Sequence, residues 1–162
     1  MEFRKMRRFK QQLSQEEVDK ILEKGTAGTL ALAGDDGYPY AVPISYVYTD
    51  GRLYLHCAKA GHKLDAIRRN PKASFCVIDQ DQIAPEKFTT YFRSVIAFGK
   101  IHEIKDEIQK REAIEKLALK YASSISQDLR EAEITREWPG LVMLEMEIEH
   151  LTGKKAIELV EC

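Results

Sequence analysis

Apolar residues recur along this chain at two spacings, one typical of helices and one typical of strands. Helical spacing marks three segments: residues 14–25, 61–70 and 106–121. The first begins with the capping-box pattern of Ser14 and Glu17 and ends at Gly25. Between and after the helical segments lie β-branched and aromatic runs, which indicate strands. The pattern therefore predicts a mainly β chain with flanking helices.

The strand-like runs cover residues 29–33, 38–48, 52–58, 73–79, 88–104 and 141–159. Residues 79–87 are polar and predict a loop, whereas residues 123–138 are polar with partial helical character. Gly99 lies inside a long strand-like run and predicts a bulge. Because helices do not alternate regularly with strands, a parallel sheet is disfavoured. About six strands in a mainly antiparallel barrel or sandwich are expected.

The run 38–48 combines strong strand character with two prolines. Strict alternation places Tyr38, Tyr40, Val42, Ile44, Tyr46 and Tyr48 on one face. Pro39 and Pro43 cannot donate ladder hydrogen bonds, so they predict an edge strand or an interrupted ladder. An interrupted edge leaves backbone groups available to a ligand. Residues 49–52 predict a tight hairpin turn into the next strand.

Composition narrows the class of protein. A chain of 162 residues with 44% hydrophobic and 31% charged residues predicts one globular domain over residues 1–162. The net charge of -1 argues against nucleic-acid binding, and the basic residues near the N-terminus predict a solvated tail. Three cysteines without a CxxC motif favour a reducing cytoplasm. No apolar run approaches the roughly 20 residues of a membrane helix, and no signal peptide is evident.

The turn between residues 58 and 64 offers the first candidate chemistry. Lys59, Gly61 and Lys63 lie between a strand and a predicted helix. A helix N-terminus presents free amides and a partial positive charge, so an anionic group would be stabilised there. Local chemistry alone leaves ordinary surface lysines as the simpler interpretation. His56, at the end of the preceding strand, could bind a ligand or transfer a proton, although local sequence alone favours a half-buried structural histidine.

Other constellations carry weaker signals. His56, Cys57 and His62 are close in sequence, but adjacent strand residues point to opposite faces, which disfavours a zinc site. Cys57 also lacks a partner for nucleophilic catalysis. The segment 89–95, TTYFRSV, could line a polar site or form an exposed strand face. Trp138 is more typical of a core plug than of a stacking platform.

Four separated stretches share their order and spacing with a known family: residues 6–8, 34–48, 53–71 and 88–100. In these stretches the chain resembles the pyridoxamine-phosphate-oxidase-like split-barrel flavoproteins, and within them the nitroimidazole-resistance subgroup. The resemblance extends to about residue 122 and more loosely to the final strand. It implies a six-stranded antiparallel split β-barrel that forms a homodimer with FMN at the subunit interface.

The resemblance also implies roles for individual residues. Val42, Pro43, Ile44 and Ser45 would run along the flavin ring. His56, Cys57, Ala58 and Lys63 would lie on the phosphate and ribityl side, with His56 as the catalytic candidate. Tyr91, Ser94 and Val95 would come from the second subunit, and Trp138 completes the set of cofactor-binding candidates.

The C-terminal sequence departs from the family pattern. Pyridoxamine phosphate oxidases carry an Arg-x-His-type substrate motif, whereas this chain ends TGKKAIELVEC. Synthesis of pyridoxal phosphate is therefore disfavoured. The expected function is an FMN-dependent reductase of small nitroaromatic or related acceptors. Two alternatives remain open: a flavin-binding module without reductase activity, and a haem-binding or haem-degrading protein on the same barrel, in which a histidine could be an axial ligand.

Overall fold

The computed structural model describes residues 2–160 and consists of one antiparallel sheet with four α-helices. The strands are β1 (Ala27–Ala33), β2 (Pro39–Ser45), β3 (Val47–Thr49), β4 (Arg52–Ala58), β5 (Lys72–Ala84), β6 (Thr89–Glu103) and β7 (Leu141–Lys155). The helices are α1 (Gln15–Lys24), α2 (His62–Arg69), α3 (Glu107–Ala122) and α4 (Gln127–Glu137). The predicted class, mainly β with flanking helices, is confirmed.

The sheet has seven strands in the order β2-β1-β5-β6-β7-β4-β3, so the predicted count of six is wrong. The difference arises in the run 38–48, which divides at Tyr46 into β2 and β3. These two strands lie at opposite ends of the sheet, and one residue joins them. The sheet therefore curls until β2 approaches β4. Across the described chain no ladder closes this gap, which makes the barrel a split one.

Tyr46 breaks the strand because its side chain and backbone both take other partners. The ring is fully buried, packs edge-on against Phe75 at 5.0 Å, and its hydroxyl donates to the Leu22 carbonyl at 2.8 Å. The Tyr46 amide donates to the Tyr121 hydroxyl at 3.0 Å. The same hydroxyl lies 2.8 Å from the Tyr46 carbonyl and contacts the Thr26 carbonyl. The Tyr121 side chain of α3 thus satisfies the backbone hydrogen-bonding groups at the point where strand pairing ends.

The polar loop predicted over residues 79–87 is instead mostly strand. β5 continues to Ala84, where it pairs with Thr89, and only Pro85–Phe88 forms the turn. A register shift around Asp79 and solvent exposure of both faces explain the error, because they remove the alternation that marks a half-buried strand. The result is a projecting hairpin, here called the β5–β6 arm (residues 80–92). Phe88 at its tip is 98% exposed.

Gly99 marks a bulge, as predicted, but the extra residue belongs to the neighbouring strand. Phe98 pairs with His150 and Gly99 with Ile148, so Glu149 of β7 is unpaired. A Cβ at position 99 would collide with the Glu147 carbonyl oxygen. Glycine is required here because the two backbones approach too closely for a side chain.

The core lies inside the curled sheet and is closed by α1. Its largest fully buried members include Leu30, Leu53, Leu55, Phe75, Leu144 and Met146. α1 contributes Val18, Ile21 and Leu22, and its predicted capping box is present: Ser14 and Glu17 exchange hydrogen bonds of 3.2 and 2.8 Å. The predicted partial helix in 123–138 is α4. Among the described helices, none has the length and apolar character needed to cross a membrane.

A smaller cluster lies on the outer face of β4 and β7. There α3 packs Ala113 and Leu117 against Tyr54, Leu141 and Met143. Further along the chain, α4 follows α3 after a short turn and places Ile134 on the same side. These two helices form a roof beside the gap in the barrel, and this roof positions the site described next.

Candidate functional site

A cavity of about 610 Å³ lies where the ends of β2 and β4 meet the roof of α3 and α4. Its floor includes Ser45 at the end of β2 and His56 near the end of β4. Its walls are mainly apolar: Ile114, Leu117 and Ala118 of α3, Leu129 and Ile134 of α4, and Leu141. The volume is in the range of small-molecule sites, and the lining has the apolar character with few polar groups that such sites share.

His56 faces this cavity because the strand alternation predicted from the sequence holds at its end. Leu55 is buried in the core, whereas His56 lies on the outer face. Partial burial lowers the pKa of His56, the positive charge of Lys63 lowers it further, and Glu137 opposes the shift. The imidazole is therefore neutral at pH 7, with one N–H donor and one acceptor nitrogen.

Lys63 lies in the first turn of α2, close to both His56 and Cys57. Its charge lowers the pKa of each, although burial is the larger effect on Cys57 and raises the pKa of that thiol. Gly61 precedes the helix with φ +132, and no side chain caps the helix N-terminus. A Cβ at Gly61 would meet nothing within 4 Å, so the space before the helix is open. This arrangement can hold an anionic group.

Three ionic and aromatic contacts hold α2 in place. Asp35, in the turn between β1 and β2, lies 2.6 Å from Arg69 and 3.5 Å from His62. The guanidinium of Arg69 lowers the pKa of Asp35. The His62 ring also stacks on Tyr40 of β2 with centroids 4.1 Å apart. Because these contacts tie α2 to the β1–β2 hairpin, Lys63 has a fixed position relative to β2.

The disfavoured zinc site is not formed in the described part of the chain. His62 is engaged by Asp35 and Tyr40, and the potential metal-binding cluster among residues 2–160 is His102, Glu145 and Glu147. That cluster lies on β6 and β7, and Arg52 is 3.8 Å from Glu145. It is a surface group of opposite charges on neighbouring strands.

β2 is an edge strand, as its prolines predict. It pairs with β1, and its residues alternate between half-buried Val42 and Ile44 and exposed Pro43 and Ser45. Of the β4 candidates, Cys57 is half-buried against the core and Ala58 is exposed. The structure thus brings the β2 end, the β4 end and Lys63 to one side of the barrel.

The candidates of β6 lie elsewhere. Ser94 pairs with Lys154 of β7, whereas His56 pairs with Met143, eleven positions away and about 35 Å along the strand. Val95 is completely buried in the core, so its side chain is closed to a ligand in one chain. Tyr91 lies on the β5–β6 arm and accepts a hydrogen bond from Lys87 at 2.9 Å. A single chain does not unite the two predicted halves of the site.

Arg93, between Tyr91 and Ser94, has an unusual environment. Its Nε atom is buried, and no hydrogen-bond partner for it occurs in residues 2–160. An unsatisfied buried donor costs about 1–3 kcal/mol, so native structures rarely leave one without a partner. This segment therefore has an unfilled polar contact in the isolated chain.

Trp138 does not line the cavity. Its indole N–H donates to Glu107 at 3.2 Å, Lys110 lies 4.0 Å from the ring, and the ring packs on the cluster beneath α3. Trp138 therefore lies at the edge of this cluster and is only partly buried. The residues that sequence reasoning missed are the apolar ones of the roof. Ile125 and Leu129, four residues apart in a polar segment, were the available signal.

Comparison with known proteins identifies the family. Residues 14–155 match the model of the family described as pyridoxamine 5'-phosphate oxidase. An uncharacterized protein of Rhizobium meliloti, RA0666, is 34% identical over 96 residues, which are 59% of this chain and 58% of that protein. The match thus spans less than two thirds of that relative's length.

Many solved structures share the fold, among them one from Bacteroides thetaiotaomicron and one from Mycobacterium smegmatis. A Bacteroides thetaiotaomicron protein, provisionally described as a 5-nitroimidazole antibiotic resistance protein, superposes with TM-score 0.71 at 21% identity over 89% of this chain and 86% of its own. An FAD and haem binding protein of Mycobacterium smegmatis gives TM-score 0.74 at 21% identity, over 94% and 76% of the two chains. The chain belongs to the pyridoxamine 5'-phosphate oxidase-like split-barrel family.

Proposed function

We propose that this protein binds FMN and reduces a small organic acceptor, of which nitroaromatic compounds are the favoured class. One observation carries the proposal: His56 stands between an apolar cavity and a helix N-terminus that bears Lys63. The cavity can take an acceptor, and the helix N-terminus can hold a phosphate. The names of the two solved structures mention nitroimidazole resistance and FAD, and they support a flavin-dependent reductase.

The residues present fit a flavin phosphate. The open space before α2, its uncapped amides and the charge of Lys63 would hold the phosphate group. The β2 edge from Val42 to Ser45 would lie along the ring, and Cys57 and Ala58 would border the ribityl chain. When bound, the flavin supplies the electrons for reduction of the acceptor.

The chain's own contribution lies in His56 and the cavity walls. The neutral imidazole can donate its N–H in a hydrogen bond to an acceptor oxygen and so orient the acceptor, whereas proton transfer would require the protonated imidazole. The apolar side chains of α3 and α4 exclude water from the acceptor, which strengthens that hydrogen bond. Ser45 adds a neutral hydroxyl as a second polar group on the same floor.

A homodimer would complete the site. The outer face of β1, β5 and β6 presents six uncharged residues, in two cross-strand rows: Thr29, Cys76 and Ile96, and Ala31, Ser74 and Phe98. An uncharged face of this kind suits burial against a second copy. The second copy's Tyr91–Val95 segment would then approach the cofactor, and the unsatisfied Arg93 would gain a partner.

Absorption spectroscopy of the purified protein tests the cofactor. We expect flavin absorption, released FMN on denaturation, and NAD(P)H oxidation that depends on a nitroaromatic acceptor. His56→Ala should lower turnover much more than FMN affinity, whereas His102→Ala, an exposed histidine on β6, should change neither. Flavin without acceptor-dependent turnover would support the alternative of a flavin-binding module. Protein without flavin would contradict the proposal.

Haem binding is the second candidate, because one related structure is of an FAD and haem binding protein and His56 faces a cavity of about 610 Å³. A neutral imidazole is a suitable axial ligand. Haem titration should then give a Soret band that His56→Ala abolishes. His62 is the weaker ligand candidate because Asp35 and Tyr40 already engage it.

A further inference from the structure

We propose that the cavity between α3, α4 and the ends of β2 and β4 is the acceptor site, and that it selects an uncharged aromatic ring. This inference rests on the proposed reductase function, but it concerns binding and can be tested without turnover. It assigns a role to α4, the segment for which sequence patterns gave no function.

Exposed apolar side chains surround the mouth of the cavity. Leu129 is 63% exposed and Ile125 is 45% exposed, and both line the opening. Exposed large apolar side chains are common when scattered singly, but here two flank an apolar wall that includes Leu117 and Ile134. An apolar ligand would cover them together.

The charged side chains of the lining already have partners. Arg130 donates to the carbonyls of Ala122, at 3.3 Å, and Ile125. Glu133 and Glu137 both pair with Arg136, the latter at 3.1 Å. The pairs with Arg136 are exposed and lie at the rim. No carboxylate or guanidinium of the lining is therefore left without an opposite charge or a carbonyl.

The floor of the cavity is neutral. The Tyr121 hydroxyl is engaged by the backbone of Tyr46 and Thr26, so only its ring faces the cavity. Ser45 and His56 remain as the polar groups of the lining that no ion pair or hydrogen bond within residues 2–160 engages. They can hold one polar substituent of a ring. A cationic substituent among the apolar walls would lose hydration, and the two carboxylates of the lining are already paired with Arg136. An anionic substituent would have to draw Arg130 away from the two carbonyls it bonds.

The test compares three probes with the same nitrobenzene ring: 4-nitrobenzyl alcohol, 4-nitrobenzoate and 4-nitrobenzylamine. Titration calorimetry on the flavin-containing protein, without a reductant, measures binding alone. We expect the neutral alcohol to bind about tenfold more tightly than either the anion or the cation. Equal affinities, or tighter binding of a charged probe, would overturn the selectivity.

A cavity-filling variant tests the location. Leu129→Trp should fill the mouth and weaken binding of 4-nitrobenzyl alcohol about tenfold or more, while flavin content and melting temperature stay unchanged. Leu119→Trp is the matched control, because Leu119 is an exposed leucine of α3 that does not line this cavity. Parent-like affinity of Leu129→Trp would place the acceptor elsewhere.

The outcomes separate this inference from the proposed function. Leu129-dependent, charge-selective binding in a protein without turnover would uphold the acceptor site and reject the reductase. Turnover of nitroaromatics that Leu129→Trp leaves unchanged would uphold the reductase and reject this site.

Discussion

The two predicted halves of the cofactor site have opposite surroundings in one chain. Around Ser45, His56 and Lys63, strands, helix and cavity converge, and α2 is fixed by Asp35. Around Tyr91–Val95 the backbone is equally regular. However, the buried Nε of Arg93 has no hydrogen-bond partner within residues 2–160, and the β5–β6 arm ends in the exposed Phe88. One half is organised by the chain itself, whereas the other has unfilled contacts. This contrast supports the proposed homodimer, in which a second copy would supply the missing contacts.

The largest expected effect comes from placing a charge on the outer face of β6. Ile96→Glu would bury a carboxylate in the proposed interface, and an unpaired buried charge costs several kcal/mol. We expect a dimeric parent to become monomeric by light scattering and to lose its flavin. Ile108→Glu, at an isoleucine that is 71% exposed in the first turn of α3, is the control. A variant that stays dimeric with flavin bound would show that this face is not the interface.

The next prediction concerns the half of the cofactor site around Ser45, His56 and Lys63, which a single chain organises. Lys63→Ala removes the charge at the start of α2 and should weaken FMN binding by about 1.5–3 kcal/mol, the range for a charged hydrogen bond. Fluorescence titration with FMN measures the change. Lys24→Ala, at an exposed lysine on α1, should leave the affinity unaltered. An equal loss in both variants would indicate general electrostatics instead of a specific phosphate contact.

A smaller effect concerns the junction between β2 and β3. Tyr121→Phe keeps the ring but removes the hydroxyl that bridges Tyr46 and Thr26. The free energy of unfolding should fall by about 1–2 kcal/mol, because the Tyr46 amide loses its partner. Urea denaturation measures this change, with Tyr38→Phe at a 77% exposed tyrosine as the control. Unchanged stability would mean that water replaces the hydroxyl at no cost.

The smallest effect is a pH dependence of stability. The pKa of His56 is lowered in the folded state, so below the ordinary value of 6.5 the unfolded chain binds the proton more tightly. Stability contributed by neutral His56 is therefore complete above pH 6.5 and declines as the pH falls toward the lowered folded pKa. His56→Gln should flatten the slope of unfolding free energy between pH 7 and 5. An identical slope in parent and variant would contradict the direction of the shift.

Local sequence patterns predicted the elements whose cause is local. The capping box of Ser14, the edge position of the proline-containing strand and the bulge at Gly99 all depend on nearby residues. The extension of β5 to Ala84 could not be predicted, because an arm exposed on both faces has no hydrophobic alternation. The roof formed by α4 was missed for a similar reason, since its apolar residues face a cavity that tertiary packing creates.

The position of Tyr46 between β2 and β3 also bears on the protein's behaviour in solution. Unpaired sheet edges are templates for intermolecular strand addition and aggregation. Here a single residue joins the two edge strands, and the sheet curls until β2 approaches β4 across the split. β2 carries Pro39 and Pro43, β3 is three residues long, and Tyr121 occupies the backbone groups at the junction. A barrel that remains open enough for a ligand to enter is thereby protected against polymerising through its own edges.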